Sequence, residues 1–329
     1  MATVGNAVTM AEMAKREDPN GVIADIVELL TEKNEILEDM LIQEGNLPTG
    51  HRTTVRTGLP SATWRLLNYG VQPSKSKTKQ IDDTCGMLEA YAEVDKALAD
   101  LNNNTAAFRL SEDRAFLEAM NQEMAKTLFY GDTRTHPERF VGLAPRYNDM
   151  SADSGENIVD GGGTGSDNCS IWVVSWGDNT IHGITPKGSK TGFQHRDLGE
   201  VTLEDAAGGK YQGYRTHYKW DLGMTVRDWR YAVRVANIDV SELSKDPSTS
   251  GANISDLLVQ ALERLQDQST GRPAIYCTRR IRTILRRQLI EKSNVNLTFD
   301  TAAGKRILAF DGVPVRRVDQ LLETEAQIS

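Results

Sequence analysis

The pattern of apolar and polar positions predicts a helix near the start of the chain. Between residues 22 and 42, apolar side chains recur at the spacing of one helical face, at Ile23, Val27, Leu30, Leu37 and Leu41. Such a helix either packs on its own domain or lies as an arm along a neighbouring copy of the chain. The sequence leaves both arrangements open.

A second pattern, after residue 50, is typical of strands. Residues 51–57 and 62–71 are rich in β-branched and aromatic side chains, and the Gly-Leu-Pro-Ser sequence at 58–61 is typical of a turn, so these segments predict a β-hairpin. Residues 73–81 then alternate lysine with small polar residues. This suits an exposed return strand, because charged side chains protect a sheet edge from unwanted pairing.

The clearest helix is predicted at 112–130. Ser111 is a good N-cap, acidic residues follow it in the first turn, and Gly131 is placed to end the helix. The apolar stripe of this helix consists of Phe116, Leu117, Met120, Met124 and Leu128. We interpret its two methionines as core residues rather than as part of a cofactor site.

The second half of the chain mixes both kinds of element. A polar, glycine-rich stretch at 148–168 is predicted to be a linker and is the best candidate for an internal boundary. Helices are predicted at 253–267 and 278–292. Strand-like runs lie at 169–176, 179–184, 211–239, 274–277 and 295–318. Because few β-α-β signals occur, this order predicts an α+β fold.

Charge divides the first 81 residues into two pieces. Residues 1–44 contain ten acidic and three basic side chains, whereas residues 45–81 contain six basic side chains and no acidic one. Complementary charges fix register and partner choice more than they add affinity. Two such segments, placed before any plausible core, suggest a protein that binds other copies of itself.

Composition limits the class of protein. The 329 residues are 39% hydrophobic, which is enough for two packed regions, and the net charge of −8 argues against a dedicated nucleic-acid binder. Three widely spaced cysteines make a disulfide framework or a zinc site unexpected and fit a reducing compartment. Neither a secretory signal nor an apolar run of about 20 residues is visible, so we expect no membrane association.

Catalytic motifs are missing from the sequence. The glycine cluster at 161–165 is followed by Ser166 and does not match a dinucleotide-binding loop, and no nucleophile elbow occurs. The five histidines lack the spacing of helical metal ligands. The sequence therefore predicts no catalytic residue, no cofactor and no metal site. The alternative, a soluble α/β enzyme or small-ligand-binding module, predicts a concave pocket with perturbed ionisable groups.

A basic helix is the other candidate for chemistry. Its arginines, which suit either phosphate contacts or ion pairs between subunits, are Arg279, Arg280, Arg282, Arg286 and Arg287. Together with the basic hairpin they leave a nucleic-acid-coating protein open as a third interpretation, although the hairpin has only Trp64 and Tyr69 for base stacking.

In order and spacing, these pieces resemble the major capsid proteins of tailed bacteriophages with the Hong Kong 97-type fold, and most of all the short-tailed-phage coat proteins. The segments that carry the resemblance are 18–21, 26–30, 34–37 and 44–50 in the acidic arm, the basic hairpin, the long helix, 137–143, and 221–239. The resemblance implies an α+β coat protein that assembles as hexamers and pentamers into an icosahedral shell around double-stranded DNA.

The resemblance also implies a division of the chain. Residues 1–44 form an N-terminal arm, and residues 45–85 form an extended β-hairpin loop that lies across a neighbouring subunit. Residues 86–150 and 300–329 form a peripheral domain with its spine helix at 112–130. Residues 151–299 form an axial domain around the centre of each hexamer or pentamer.

Intersubunit contacts are expected from the loop and the arm. In the loop they are Arg52, Arg56, Trp64, Arg65, Lys75, Lys77 and Lys79. In the arm they are Glu28, Glu32, Glu35, Glu38 and Asp39. The five arginines of the basic helix are expected either to face packaged DNA or to form ion pairs.

The partners implied are other copies of the chain, a portal protein at one vertex and packaged DNA held by non-specific contacts. A cement or decoration protein is a further candidate. Some relatives crosslink their shells through Lys–Asn bonds or begin with a cleaved scaffolding segment. The sequence matches neither pattern, so we expect a non-covalent shell and a separate scaffolding protein. The protein is expected in the virion shell, assembled in the bacterial host cytoplasm.

Overall fold

A computed structural model describes residues 32–101, 105–189, 192–205, 207–244, 251–291, 297–302 and 305–329. In the first half of the chain the elements are α1 (Ile36–Asp39), β1 (Ile42–Glu44), β2 (Gly50–Gly58), β3 (Lys77–Asp95), α2 (Lys96–Ala99), α3 (Thr105–Tyr130), and short 3₁₀ helices at Ala144–Arg146 and Asp153–Asn157.

The second half contributes most of the strands. Its elements are β4 (Ile158–Asp160), β5 (Asn168–Trp176), β6 (Ile181–Thr185), β7 (Phe193–Glu204), β8 (Lys210–Val226), a 3₁₀ helix at Trp229–Tyr231, β9 (Ala232–Asp239), α4 (Ile254–Arg264), β10 (Arg272–Cys277), α5 (Arg279–Glu291), β11 (Leu297–Ala302), β12 (Lys305–Phe310) and β13 (Val313–Arg317).

The strands join into one mixed sheet. Its order is β11-β12-β13-β10-β5-β6-β8-β3-β2, with β9 on β5, β4 on β9, β1 on β6 and β7 on β8. The longest pairing joins β3 to β8 antiparallel from Cys85↔Gly223 to Asp95↔Gly213. Through this sheet, the early strands β2 and β3 are connected to strands from the end of the chain.

Strand β5 divides the core into two clusters. All nine of its residues are buried. Because successive side chains of a strand point to opposite faces, Ile171 and Val173 pack among α4, α5 and β9, whereas Trp172 and Val174 pack among α1, α3 and β8. Covering both faces explains why β5 lacks the alternation of apolar and polar residues that marks a half-exposed strand.

The long helix starts earlier than the sequence predicts. It begins at Thr105 instead of 112, so Ser111 is an interior residue and not the N-cap. Phe108, which is buried against Val94 and Leu98, gives these two extra turns a tertiary anchor that the local pattern does not show. The predicted end is correct, since the N–H of Gly131 still bonds to Thr127 O and the backbone then leaves the helix.

The glycine-rich stretch at 148–168 is not the linker that the sequence predicts. Strand β4 within it pairs in parallel with β9, and Asn157 is buried. A Cβ on Gly163 would lie 2.5 Å from Asn168 Oδ1 and 2.6 Å from Asn237 O. Glycine is therefore present here because the backbone approaches its neighbours closely, and not because the segment has to be flexible.

The predicted arm helix is described only from residue 32 onward, and the rest of it lies outside the described residues. In the described part the helix is the single turn α1, and Met40 already has extended backbone. Strand β1 then pairs in parallel with β6, and Ile36 is fully buried in the core. Of the two arrangements left open by the sequence, packing on its own subunit holds for residues 32–44.

Candidate intersubunit interface

The predicted hairpin is present, but its second strand is not the one expected. Strand β2 pairs with the start of β3 from Gly50↔Thr84 to Gly58↔Lys77. Residues 62–71, predicted to form the partner strand, have no strand structure. Their apolar side chains do not alternate with polar ones, since Leu66 and Leu67 are adjacent. No core of the subunit covers either face of this segment, so burial does not stabilise a strand here.

The base of the hairpin, where it meets the sheet, is tightly held. Asp83 is buried and accepts hydrogen bonds from Arg146 and from the hydroxyl of Thr225, both at 2.7 Å. Directly opposite Asp83 in the register lies His51, also buried. A Cβ on Gly50 would lie 1.9 Å from Asp83 O, so only glycine fits at the first residue of β2.

A histidine pair adds to this base. The rings of His51 and His182 lie 5.9 Å apart, edge to face, and His51 Nε2 is 3.2 Å from the Arg227 guanidinium. Burial, together with the positive charge of Arg227, lowers the pKa of His51 and lowers that of His182 to about 4. Both rings are therefore neutral at physiological pH, and His51 Nε2 is free to accept a hydrogen bond from Arg227.

Beyond the base, the hairpin leaves the body of the protein. Lys77, Thr78, Lys79 and Gln80 are exposed without alternation, so neither face of this part is covered. Arg52 and Asp82 form a two-pronged ion pair across the strands, with nitrogen–oxygen distances of 2.6 and 2.7 Å. Arg52, expected at an intersubunit contact, thus has an acidic partner within its own hairpin.

The tip of the hairpin, residues 59–76, is exposed at every position. Trp64 is fully exposed, and Leu67 and Leu59 are more than four-fifths exposed. The other large apolar side chains exposed here are Leu66, Tyr69 and Val71. The sequence shows the charge of this segment directly, whereas its apolar residues were predicted to form a strand. Leu66 and Leu67, side by side between Pro60 and Pro73, were the signal that could have identified a surface loop.

The basic side chains of the loop surround this apolar tip. Arg56, Arg65, Lys75, Lys77 and Lys79 are all exposed. With Arg52 paired to Asp82, these five are the basic residues that remain as candidates for contacts with another subunit. Their predicted role there stays a prediction.

The acidic residues of the arm divide into two groups. Arg316 Nη2 lies 2.9 Å from Asp39, and the backbone N–H of Arg317 donates to Glu35 at 2.8 Å. The side chain of Gln320 donates to Glu32. Three of the predicted contact residues are thus bonded to the last strand and tail of their own chain. Glu38 is exposed, and Glu28 lies outside the described residues.

The net pKa shift differs between the two inner carboxylates. Burial alone would raise the pKa of Glu35, but hydrogen bonds from Lys33 and from the backbone of Arg317 outweigh it, so the pKa is lowered. For Asp39 burial is the stronger effect and the pKa is raised, despite the nearby Arg316. Both groups are bonded within their own subunit, and their predicted role in a contact with a neighbour stays a prediction.

The five arginines of the basic helix lie on α5 as predicted, around the buried side chains of Ile281 and Leu285. Arg279, Arg280, Arg286 and Arg287 are exposed, and Arg282 is half-buried. Arg280 donates to Val240 O at 2.7 Å. Whether this surface meets DNA or another subunit stays a prediction.

Groups suited to catalysis are not brought together in the part of the chain that the structure describes. Among those residues no three potential metal ligands cluster, and no helix is both long and apolar enough to span a membrane. All three cysteines are free thiols. Burial raises the pKa of Cys85 and that of Cys277 to about 12 and also raises that of Cys169, so none is a ready nucleophile.

Comparison with known proteins identifies the family of the chain. Residues 18–329 match the family model described as "Major capsid protein GP7". A chain of the cryo-EM structure of bacteriophage Epsilon15 is 40% identical in sequence and superimposes with a TM-score of 0.79. The match covers 100% of this chain and 99% of the Epsilon15 chain. A chain of the bacteriophage JBD30 capsid is 10% identical over 89% of this chain and 92% of its own, with a TM-score of 0.49. No curated protein matches the sequence.

Proposed function

The chain belongs to the family of major capsid protein GP7, and from this premise we propose that its projecting hairpin joins each subunit to the next in the shell. The protein is a phage coat protein with the Hong Kong 97-type fold, forms an icosahedral shell and is part of the virion. The fold and family expected from the sequence are thereby confirmed. The proposal concerns which part of the subunit makes the contacts.

One observation carries the proposal: the tip exposes six large apolar side chains on a segment that its own subunit does not cover. Trp64 at the centre of this segment is fully exposed. A contiguous exposed apolar patch of this kind marks an interaction site in a soluble protein. An isolated two-stranded hairpin is also marginally stable by itself in water, so a neighbour that packs on the tip would stabilise it.

The expected interaction free energies assign different roles to the apolar and the basic residues of the tip. Burying a large aromatic side chain removes roughly 150–250 Å² from water, which at about 25 cal/mol per Å² is at most ~4–6 kcal/mol. Exposed ion pairs contribute a median of about 0–1 kcal/mol. The affinity of the tip therefore comes mainly from its apolar residues, while Arg56, Arg65 and the lysines select the partner surface and the register.

Assembly then rests on many such contacts. Each subunit contributes one projecting hairpin, and closure of hexamers and pentamers multiplies individually modest contacts through high effective concentration. The exposed Glu38 of the arm is a candidate partner for the basic side chains of a neighbouring loop. We retain as proposals a separate scaffolding protein, a portal protein, a decoration protein, and non-specific contact of α5 with packaged DNA.

The alternative of an enzyme or a ligand-binding module lacks support. A structural family makes catalysis improbable, and the tip has no role in such an account. If a small molecule were the natural partner, a polar tip would leave the protein functional, so the same experiment separates the two interpretations.

The test replaces the apolar residues of the tip while leaving the base intact. We expect Trp64→Ser with Leu66→Ser and Leu67→Ser to give a folded subunit that forms no closed shells in sedimentation and negative-stain microscopy. The matched control, Leu66→Met with Leu67→Met, keeps apolar side chains at the same positions and is expected to assemble. Closed shells from the serine variant in normal yield would refute the proposal.

A further inference from the structure

Beyond β13, residues 322–328 form a strap that runs from the end of the long helix to β5 and β9. The backbone N–H of Leu322 donates to the hydroxyl of Tyr130, the last residue of α3, at 3.0 Å. Glu325 and Asn168, the first residue of β5, exchange backbone hydrogen bonds of 2.8 and 3.3 Å. The strap thus joins elements that are far apart in the sequence.

A buried ion pair holds the middle of the strap. The Glu325 carboxylate lies 2.7 Å from Arg234 Nη2 of β9, and both side chains are buried. The same carboxylate accepts hydrogen bonds from the hydroxyls of Tyr130, at 2.6 Å, and of Ser170. Burial and the negative charge of Glu325 raise the pKa of Tyr130, so its hydroxyl keeps its proton and donates. Among the described residues no other carboxylate pairs with Arg234, so detaching the strap removes its counter-charge.

The far end of the strap is held by a residue in strained backbone. Asn237 of β9 is buried and has a φ of 54°, in the left-handed region that few residues other than glycine adopt. Its side-chain amide bonds to both backbone groups of Ile328, since Oδ1 accepts from the N–H at 2.8 Å and Nδ2 donates to the carbonyl at 2.9 Å. Strain of this kind persists only where neighbouring contacts hold it, and it clusters in segments that switch between conformations.

The strap is attached mainly by polar groups. Of residues 322–328 only Glu325 is buried, and a cavity of about 400 Å³ is lined by strap residues together with Tyr130 and Arg234. Apolar burial is the dominant stabilising effect in folding, and a buried ion pair adds little because desolvation of both charges offsets their attraction. Strand β5, in contrast, is buried at every position. The strap should therefore open at a lower free energy than the strands it covers.

We propose that the strap is a latch that opens and closes on an otherwise folded subunit, and that a subunit enters the shell only with this latch closed. The closed latch fixes the end of α3 against β5 and β9. Contacts between subunits are individually modest, and ordering a loose surface during binding subtracts from their free energy, so assembly favours subunits that are already rigid. The latch does not depend on the hairpin contact proposed above, and either can fail without the other.

Amide hydrogen exchange of the wild-type protein tests whether the strap opens alone. In unassembled subunits we expect the amides of Leu322, Glu325 and Ile328 to exchange at least tenfold faster than those of Val173 and Val235 in the core. In closed shells the same strap amides should slow by at least tenfold. Strap amides that exchange as slowly as the core in free subunits, or that do not slow in shells, would overturn the proposal.

A matched pair of substitutions tests whether assembly needs the closed latch. Glu325→Gln keeps the size of the side chain but removes the charge opposite Arg234, and charge-assisted hydrogen bonds are the stronger ones. The control, Glu323→Gln, makes the same change in the strap at a half-buried carboxylate 3.8 Å from Arg280. We expect Glu325→Gln to speed exchange of the strap roughly tenfold with the core unchanged, and to lower the yield of closed shells severalfold, because every added subunit must be closed. The control should do neither.

Other results of this pair would contradict the latch. A Glu325→Gln chain with a faster-exchanging strap and a normal yield of shells would show that assembly does not need the latch closed. A Glu325→Gln chain that fails to fold would make the strap an ordinary part of the core, and one with unchanged strap exchange would remove the ion pair as its fastening. An equal loss of shells in Glu323→Gln would assign the effect to surface charge instead.

Discussion

The base and the tip of the hairpin differ in what stabilises them. At the base, Asp83 and His51 are buried and bonded to side chains from other parts of the subunit. At the tip, Trp64 and Leu67 are exposed and nothing in their own chain covers them. The base is thus specified by intramolecular contacts, whereas we propose that the tip is specified by contacts with a neighbouring subunit. Substitutions at the base should change subunit stability, whereas those at the tip should change assembly.

The largest effect on the subunit is expected from Asp83→Ala. This substitution leaves Arg146 partly buried without its carboxylate, and breaking a buried ion pair in this way costs about 3–5 kcal/mol. Chemical denaturation followed by circular dichroism measures the loss. The adjacent Asp82→Ala is the control, since its carboxylate is half exposed and its removal should leave the unfolding midpoint unchanged. Equal effects of both substitutions would contradict a buried anchor at the base.

Acid should weaken the base next. His182 has a pKa of about 4 in the folded protein against 6.5 when unfolded, so the unfolded chain binds more protons. The contribution of His182 to the free energy of unfolding is therefore fully present above pH 6.5. It is lost as the pH falls through 4, by up to about 3 kcal/mol. His182→Gln should flatten this part of the curve of stability against pH. An unchanged slope in His182→Gln would be inconsistent with the buried neutral ring.

A smaller effect is expected where the two strands first meet. Gly50→Ala places a Cβ against the carbonyl of Asp83, and relieving the overlap requires a backbone shift that costs about 1–3 kcal/mol. At the other end of the same strand, Gly58→Ala meets only the flexible side chain of Lys77 at 3.4 Å and should be tolerated. Thermal unfolding of both variants checks the difference. A larger drop in unfolding temperature for Gly58→Ala than for Gly50→Ala would contradict the close backbone contact at Gly50.

The smallest effect on the subunit is expected from charge reversal near the tip. Arg56→Glu with Arg65→Glu should leave the free energy of unfolding within about 0.5 kcal/mol, because both side chains are exposed. Assembly should nevertheless slow and lose its dependence on salt, since these charges steer the encounter. Arg52 is left out because its reversal would oppose Asp82 and disturb the hairpin itself. Light scattering at two ionic strengths measures the rate, and unchanged rates would remove the charges from the interface.

The sequence predicted the parts of the molecule whose signals are local. The ends of α4 and α5, strand β10 and Gly131 after the long helix follow from apolar spacing and from helix-ending residues, and each was found close to its predicted position. The fold and the family followed from the order of these pieces. Those successes concern segments whose structure is set mostly by their own side chains.

The failures arise where distant residues decide. Thr105 begins the long helix because Phe108 packs against a core made by β3 and α2. The backbone at Gly163 is closely packed because β9 passes beside it. Strand β7, which the sequence did not predict, exists because β8 provides a partner along its whole length. The apolar residues around Trp64 form no strand because no described strand pairs with them and no core covers them. The spacing of residues 62–71 alone does not reveal that lack of a partner.

The central claim is that the tip is covered only by another copy of the protein. A cryo-EM map of the assembled wild-type shell tests it most directly, with residues 59–76 traced in every subunit. The account predicts that Trp64 is buried against a neighbouring subunit throughout the shell. A map in which the tip projects into solvent, while the shell is held together by other surfaces, would contradict it.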